Sequence, residues 1–285
     1  MSIAVTGGNG EFGRAVLAQL RERTREPVVA TVRDVAKAEP MPGVDHRPGD
    51  FDDRDALRAS LAGVDTVLVN ATFFGADPSL RLPRVTAAIE TATIAGARRI
   101  VLTSWPGLET ATMPSVQDYR ELEGVLKAAG PSWTIVRLGV GLADALARDV
   151  VWGRQAGELV APARNASAAP ASISDLAEAT AVVLMSRESE GAVLELTGSE
   201  ELDWNDLARL AGVPFRAVSD DEYIAYLVDR FRFSPGAAAM LTALYADLRE
   251  GRSGRTGTLA RLLDYPVMPS IDAVEAQVAL FGRPR

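Results

Sequence analysis

The stretch that most constrains this chain is Thr6-Gly7-Gly8-Asn9-Gly10-Glu11-Phe12-Gly13, which follows the apolar run Ile3-Ala4-Val5 and opens a helical pattern. Glycines at 7, 10 and 13 have separate jobs in such a stretch. The first permits a tight turn, the second lets backbone approach a diphosphate, and the third lets the helix pack close to the sheet. The first helical turn adds N–H groups and the positive end of the helix dipole, which hold anions. In this strand–turn–helix setting the spacing predicts that Gly7, Gly8, Asn9, Gly10, Glu11, Phe12 and Gly13 cradle the phosphates of a dinucleotide.

The chain then keeps one rhythm. Short apolar strands are predicted at 3–6, 28–33, 44–47, 66–69, 99–103 and 133–138, with helices at 11–24, 56–61, 83–95 and 115–129 between them. This alternation predicts an α/β fold, a doubly wound parallel sheet of the Rossmann, NAD(P)-binding kind, covered on both faces. After Gly141 the rhythm changes. A helix capped by Ser174 and a strand at 192–197 are predicted to return to the sheet, whereas 203–281 reads as mainly helical. The expected organisation is a dinucleotide-binding core over 1–141, with 171–198 returning to it. Residues 142–170 and 199–285 would form a smaller, mainly helical C-terminal substrate lobe. The glycine- and arginine-rich segment 249–257 is the expected mobile loop, its arginines solvated.

Composition closes off other chemistries. There is no cysteine and one histidine, His46, which excludes disulfides, a thiol nucleophile and Cys- or His-rich metal sites; no metal is expected. A net charge of −8, from 30 basic and 38 acidic residues, gives no general attraction to nucleic-acid phosphates. No apolar run reaches membrane-spanning length, and the first residues lack a secretory pattern. The expected location is the cytoplasm, and the expected partner a small molecule, with neither nucleic acid nor membrane.

The cofactor type turns on the end of the second strand, Val32-Arg33-Asp34. Arg33 can grip a 2′-phosphate through charge-assisted hydrogen bonds and select NADP(H). Asp34, if turned inward, would bind the ribose hydroxyl and favour NAD(H). NADP(H) is the expected cofactor, with Asp34 as the complication.

With these residues in view, the chain resembles the NmrA-like, atypical short-chain dehydrogenase/reductase family, and within it the NAD(P)H:quinone oxidoreductase type 2 branch. The resemblance rests on Ala4–Gly13, Val32-Arg33-Asp34, Gly49-Asp50-Phe51-Asp52-Asp53, Leu61–Asp65, Ile100–Ser104, Thr134–Arg137 and Ser172–Ala179. It implies an NADPH-dependent oxidoreductase. It also implies that Asp50 and Phe51 lie on the adenine side, and Asn70, Ala71, Thr72 and Thr103 on the ribose and nicotinamide side.

Short-chain reductases commonly use a Tyr with a Lys four residues on, the lysine lowering the phenol pKa. Here Tyr119 is followed by Glu123, and the chain's two lysines are Lys37 and Lys127. Tyr119 also shares a helical stripe with Leu122 and Leu126. Tyr119 and Ser104 are the candidate catalytic residues, each with an equally simple structural role. The quinone-reductase branch likewise lacks the pair, and hydride addition to a quinone leaves a stabilised anion that water can protonate. Phe73, Phe74, Trp105 and Val140 follow the fourth, fifth and sixth strands and form a candidate pocket for a flat aromatic substrate. The expected function is NADPH-dependent hydride transfer to a quinone-like or aromatic carbonyl acceptor. A non-catalytic NADP(H)-binding redox sensor and a non-redox cyclase or isomerase on the same fold are the alternatives. A homodimer is expected by fold analogy alone.

Overall fold

Strand β1 (Ile3–Thr6) is buried along its whole length, and the chain winds outward from it in both directions. The computed structural model describes residues 1–71 and 78–281. In chain order the first elements are β1, α1 (Glu11–Arg23), β2 (Val28–Val32), β3 (Val44–Pro48), α2 (Arg54–Leu61) and β4 (Thr66–Val69). Next come α3 (Arg81–Ile94), β5 (Arg99–Ser104), α4 (Gln117–Ala128), β6 (Ser132–Leu138), α5 (Leu142–Ala156), β7 (Leu159–Ala161) and β8 (Ser167–Ala168). The remainder are α6 (Ile173–Met185), β9 (Val193–Leu196), β10 (Leu202–Asp203), α7 (Trp204–Ala211) and β11 (Phe215–Ala217), then α8 (Asp220–Phe231), α9 (Pro235–Arg249), α10 (Thr258–Leu262) and α11 (Ser270–Leu280).

The main sheet runs β3-β2-β1-β4-β5-β6-β9, and its first six strands are parallel. This is the Rossmann order, with its reversal between β1 and β4. β1, β2, β4 and β5 are buried throughout, so they carry mostly apolar runs rather than an alternating pattern. Helix α1 turns Phe12, Val16, Leu17 and Leu20 to the core and packs against α6, where Arg23 pairs with Glu178.

The chain forms two compact units. The first comprises residues 1–105, 118–138 and 173–195. Buried Arg99 fastens its last segment: the guanidinium donates to the Ser186 carbonyl, to Thr134 Oγ1 at 2.8 Å and to Ser189 Oγ at 3.1 Å. The second unit comprises 106–117, 139–172 and 196–285, so residues 106–117 group with it rather than with the sheet.

The core of the second unit contains a buried carboxylate. Asp149 accepts from Trp204 Nε1 at 2.9 Å, Tyr245 OH at 2.5 Å and Arg148 Nη2 at 2.8 Å, and Tyr223 OH lies 3.1 Å from Tyr245 OH. The segment expected to be a mobile loop is pinned within this unit. Arg249 forks onto Asp220, Arg252 donates to Asp247 at 2.6 Å, and the Thr256 N–H donates to Thr197 Oγ1 at 2.9 Å. Asp247 also accepts from the Thr112 and Met113 N–H groups, tying down residues 112–113. Glycine and arginine read as solvated loop because most of these contacts, to Asp220, Thr197 and through Asp247 to residues 112–113, join segments distant in sequence. No helix among the described residues is long and apolar enough to cross a membrane.

Candidate cofactor site

The turn after β1 has the geometry its glycines predict. Gly7 sits at φ +67°, in the left-handed region, and the Gly10 N–H donates back to its carbonyl at 2.9 Å. The Gly8 N–H donates to Thr31 O at 3.1 Å, fixing the turn to the end of β2. A Cβ at Gly13 would collide with the Gly7 carbonyl oxygen, so only glycine lets α1 start this close to the turn. Helix α1 begins at Gly10 without a side-chain cap, which leaves its first-turn N–H groups to an anion. Asn9 and Glu11 are exposed here, whereas the Phe12 side chain is core. A glycine-walled cradle at a helix N-terminus, at the carboxyl end of the central strand, fits a dinucleotide diphosphate.

At the end of β2 the two neighbouring charges take different paths. Arg33 is exposed, with no hydrogen bond or ion pair to a described residue. Asp34 turns away into a 3-10 turn over Val35–Lys37. Its Oδ1 accepts from the Ala36 N–H at 3.0 Å and its Oδ2 lies 3.1 Å from Lys37 Nζ. The Lys37 ammonium holds the Asp34 carboxyl below the usual carboxylate range.

After β3, the Gly49 N–H donates to Val32 O at 2.9 Å, and a Cβ at Gly49 would press on Thr31. Asp50 Oδ1 caps the turn by accepting from the Asp52 N–H at 3.1 Å. Half-buried Phe51 follows it. Asp52 forks onto Arg84 of α3, and Asp53 caps α2 by accepting from the Ala56 N–H at 3.0 Å. Asp53 is thus a helix cap, and Asp52 an inter-element ion pair.

Asn70, Ala71 and Thr103 meet at the carboxyl ends of β1, β4 and β5. The Asn70 N–H donates to Thr6 Oγ1 at 2.9 Å and the Ala71 N–H to Thr103 Oγ1 at 2.7 Å; Thr103 in turn donates to Asn70 Oδ1 at 3.3 Å. A Cβ on Gly7 would lie 3.9 Å from Asn70 Nδ2, which places the β4 end beside the glycine turn at the switch point. Thr72, Phe73 and Phe74 lie outside the described residues. Trp105 is half-buried in the first unit, and Val140 is buried in the second.

The two candidate catalytic side chains are both tied down. Tyr119 is buried on α4, its hydroxyl donates to the Ala71 carbonyl at 3.3 Å, and the Arg81 guanidinium lies 4.7 Å from its ring centroid. Burial pushes its pKa up to about 12, against the pull of Arg81, which is itself paired with Asp118 at 2.9 Å. Ser104 donates to Glu123 Oε1 at 2.6 Å. Arg137 of β6 grips the same carboxylate with Nε and Nη2, both at 2.8 Å, and reaches Glu195 at 3.1 Å. The helical position one turn after Tyr119 thus holds a buried anion that is saturated with donors.

Glu123 stands out in the sequence beside Tyr119, whereas Arg137 shows there only as part of the Thr134–Arg137 motif, with no sign of its pairing to Glu123. The available signal was an arginine inside the apolar strand Thr134-Ile135-Val136-Arg137-Leu138, since a buried guanidinium requires a carboxylate. Two clefts open among the described residues. One of about 420 Å³ is lined by Asn205, Arg209 and Phe215 in the second unit. Another of about 360 Å³, lined by Val28, Val44 and Arg47, opens at the amino ends of β2 and β3.

Comparison with known proteins agrees with this geometry. The family described as NAD(P)H-binding matches residues 7–184. Quinone oxidoreductase 2 of Escherichia coli (strain K12) is 27% identical over 286 residues, covering 95% of this chain and 97% of that protein. The structure of the E. coli NADPH-dependent quinone oxidoreductase complexed with NADPH superposes with a TM-score of 0.87 at 25% identity, over 96% of this chain and 99% of that one. Triphenylmethane reductase of Citrobacter sp., complexed with NADP(H), shares the fold with a TM-score of 0.83 at 23% identity, over 97% of this chain and 100% of that one.

Proposed function

The chain belongs to the NAD(P)H-binding family, and from that premise we propose that it is an NADPH-dependent oxidoreductase that reduces a quinone-like or aromatic carbonyl acceptor without a tyrosine–lysine pair. One observation carries this reading: Glu123 stands where the lysine would be, neutralised by Arg137 and bonded to Ser104. Burial raises the Tyr119 pKa to about 12, further from neutral pH, which makes the phenol a weaker proton donor, and its hydroxyl is already bonded to the Ala71 carbonyl. Ser104 has already committed its hydroxyl hydrogen to Glu123. Neither side chain is set up as a general acid. That suits an acceptor whose reduced anion is delocalised and takes its proton from water. The relative named quinone oxidoreductase 2 supports the same class.

When bound, the nicotinamide supplies a hydride. The chain's own part is to bind and orient. The first-turn N–H groups of α1, from Glu11 to Gly13, would hold the diphosphate, and Arg33 the 2′-phosphate. Asp50 and Phe51 would border the adenine, with Asn70, Ala71 and Thr103 on the ribose and nicotinamide side. Orientation of this kind is where such a site gains most of its rate.

The test is to mix the protein with NADPH and a panel of quinones and aromatic carbonyls, following loss of the NADPH absorbance band. Turnover with a member of the panel is the expected result. Tight NADPH binding with no turnover across the panel would sink the reductase reading in favour of a redox sensor.

A further inference from the structure

The acid beside Arg33 is held out of the way by a side chain four residues from Arg33. Asp34 has two carboxylate oxygens, and the fold uses both. Oδ1 accepts from the Ala36 N–H at 3.0 Å, a backbone contact built into the turn. Oδ2 faces Lys37 Nζ at 3.1 Å, a contact that depends on one side chain. Arg33, next in sequence, has no described partner.

We infer that Lys37 is a cofactor-specificity residue acting through Asp34: by occupying Oδ2 it keeps the acid off the ribose and leaves Arg33 as the uncommitted charge at the end of β2. The inference rests on the NADPH reading above. An acid in this region selects NAD(H) by accepting from the ribose 2′-hydroxyl, and one free oxygen suffices for that. The same free oxygen repels a 2′-phosphate. With Lys37 in place neither happens, and Asp34 serves the turn that leads away from the site. The hydrogen bond from Lys37 lowers the Asp34 pKa, and an aspartate is ionised at neutral pH in any case, so both charges of the pair are present there. The Lys37 side chain is 82% exposed and that of Asp34 45% exposed, so solvent screens the pair and the effect is a matter of fold-changes.

The experiment measures dissociation constants for NADPH and NADH by fluorescence titration, using wild type, Lys37→Gln, Asp34→Asn, the double variant and Lys37→Arg. Lys37→Gln should narrow the preference for NADPH by about fivefold, the scale of an exposed ion pair. On the Asp34→Asn background the same change should move the ratio less than about twofold, because the residue through which it acts is gone. Lys37→Arg should keep the wild-type preference. Equal narrowing on both backgrounds would mean that Lys37 meets the phosphate directly, and would overturn the inference. No narrowing on either would overturn it too, since Asp34 would then stay aside unaided. A wild type without NADPH preference fails the underlying reading, and the inference with it, before any variant is compared.

Discussion

Arg33 and Asp34 are adjacent in sequence and opposite in what they do, and only the fold separates them. Asp34 is spent on the Val35–Lys37 turn, whereas Arg33 is exposed and has no partner among the described residues. Arg33→Ala should therefore weaken NADPH binding at least about tenfold, in line with loss of a charge-assisted contact, and leave NADH nearly unchanged. Parallel titrations of the two nucleotides check this, and equal losses would refute the assignment. Tyr119 is a second residue whose role the environment decides. Its phenol is buried and bonded to the Ala71 carbonyl. Tyr119→Phe should leave the shape of the pH–rate profile unchanged from about pH 6 to 9, with a loss of about 1 kcal/mol in stability from the missing hydrogen bond. A large fall in kcat with a new dependence on pH would restore Tyr119 as a proton donor.

At the scale of elements, the glycine turn, the Rossmann order and the strand expected at 192–197, which joins the sheet as β9, were legible because their signals are local. Apolar runs mark buried parallel strands, and Gly7, Gly10 and Gly13 are read off one short stretch. Arg137 and the clasp over 249–257 were not legible, because their meaning lies in partners far along the chain. Arg137 matters only beside Glu123 of α4 and Ser104 of β5. Arg252 pairs with nearby Asp247, but what that pair clasps is distant: the same carboxylate accepts from the N–H groups of Thr112 and Met113. The α4–β5–β6 junction gives a sharp prediction. Glu123→Lys restores the letters of a tyrosine–lysine pair, yet sets a second cation against buried Arg137 and strips Ser104 of its acceptor. It should cost about 3–5 kcal/mol of stability and bring no gain in turnover. Thermal melting together with quinone reduction reads both. Gly13→Ala belongs to the α1–β1 junction: its methyl would meet the Gly7 carbonyl oxygen. It should cost about 1–3 kcal/mol and weaken both nucleotides alike, which separates it from Arg33→Ala.

For the whole molecule, buried phenols, present in both units, are expected to set the alkaline limit of the fold. Tyr119 lies under α4 in the first unit, and Tyr223 and Tyr245 lie around Asp149 in the second. Burial raises all three pKa values, and the Asp149 carboxylate adds to the shift of Tyr223 and Tyr245. In the unfolded chain a tyrosine titrates near ~10. Above that pH the unfolded state releases protons that the folded state retains, so stability falls as pH rises. The contribution of Tyr119 is complete below about pH 10 and is lost as pH climbs through its folded value of about 12. On the acid side the sign reverses. Asp65 and Asp247 have lowered pKa values, Asp65 through the Ser2 N–H and Asp247 through the Thr112 and Met113 groups despite burial. Their contribution is present above the unfolded carboxylate range of about 4 and fades as pH falls below it. Thermal melting should accordingly decline from about pH 10 upward, and Tyr119→Phe should make that decline shallower without moving the acid limb. Phenolate absorbance followed alongside circular dichroism decides the cause. If the absorbance of these tyrosines rises only together with loss of the fold, their burial sets the limit; if it rises while the fold is intact, the alkaline limit has another origin.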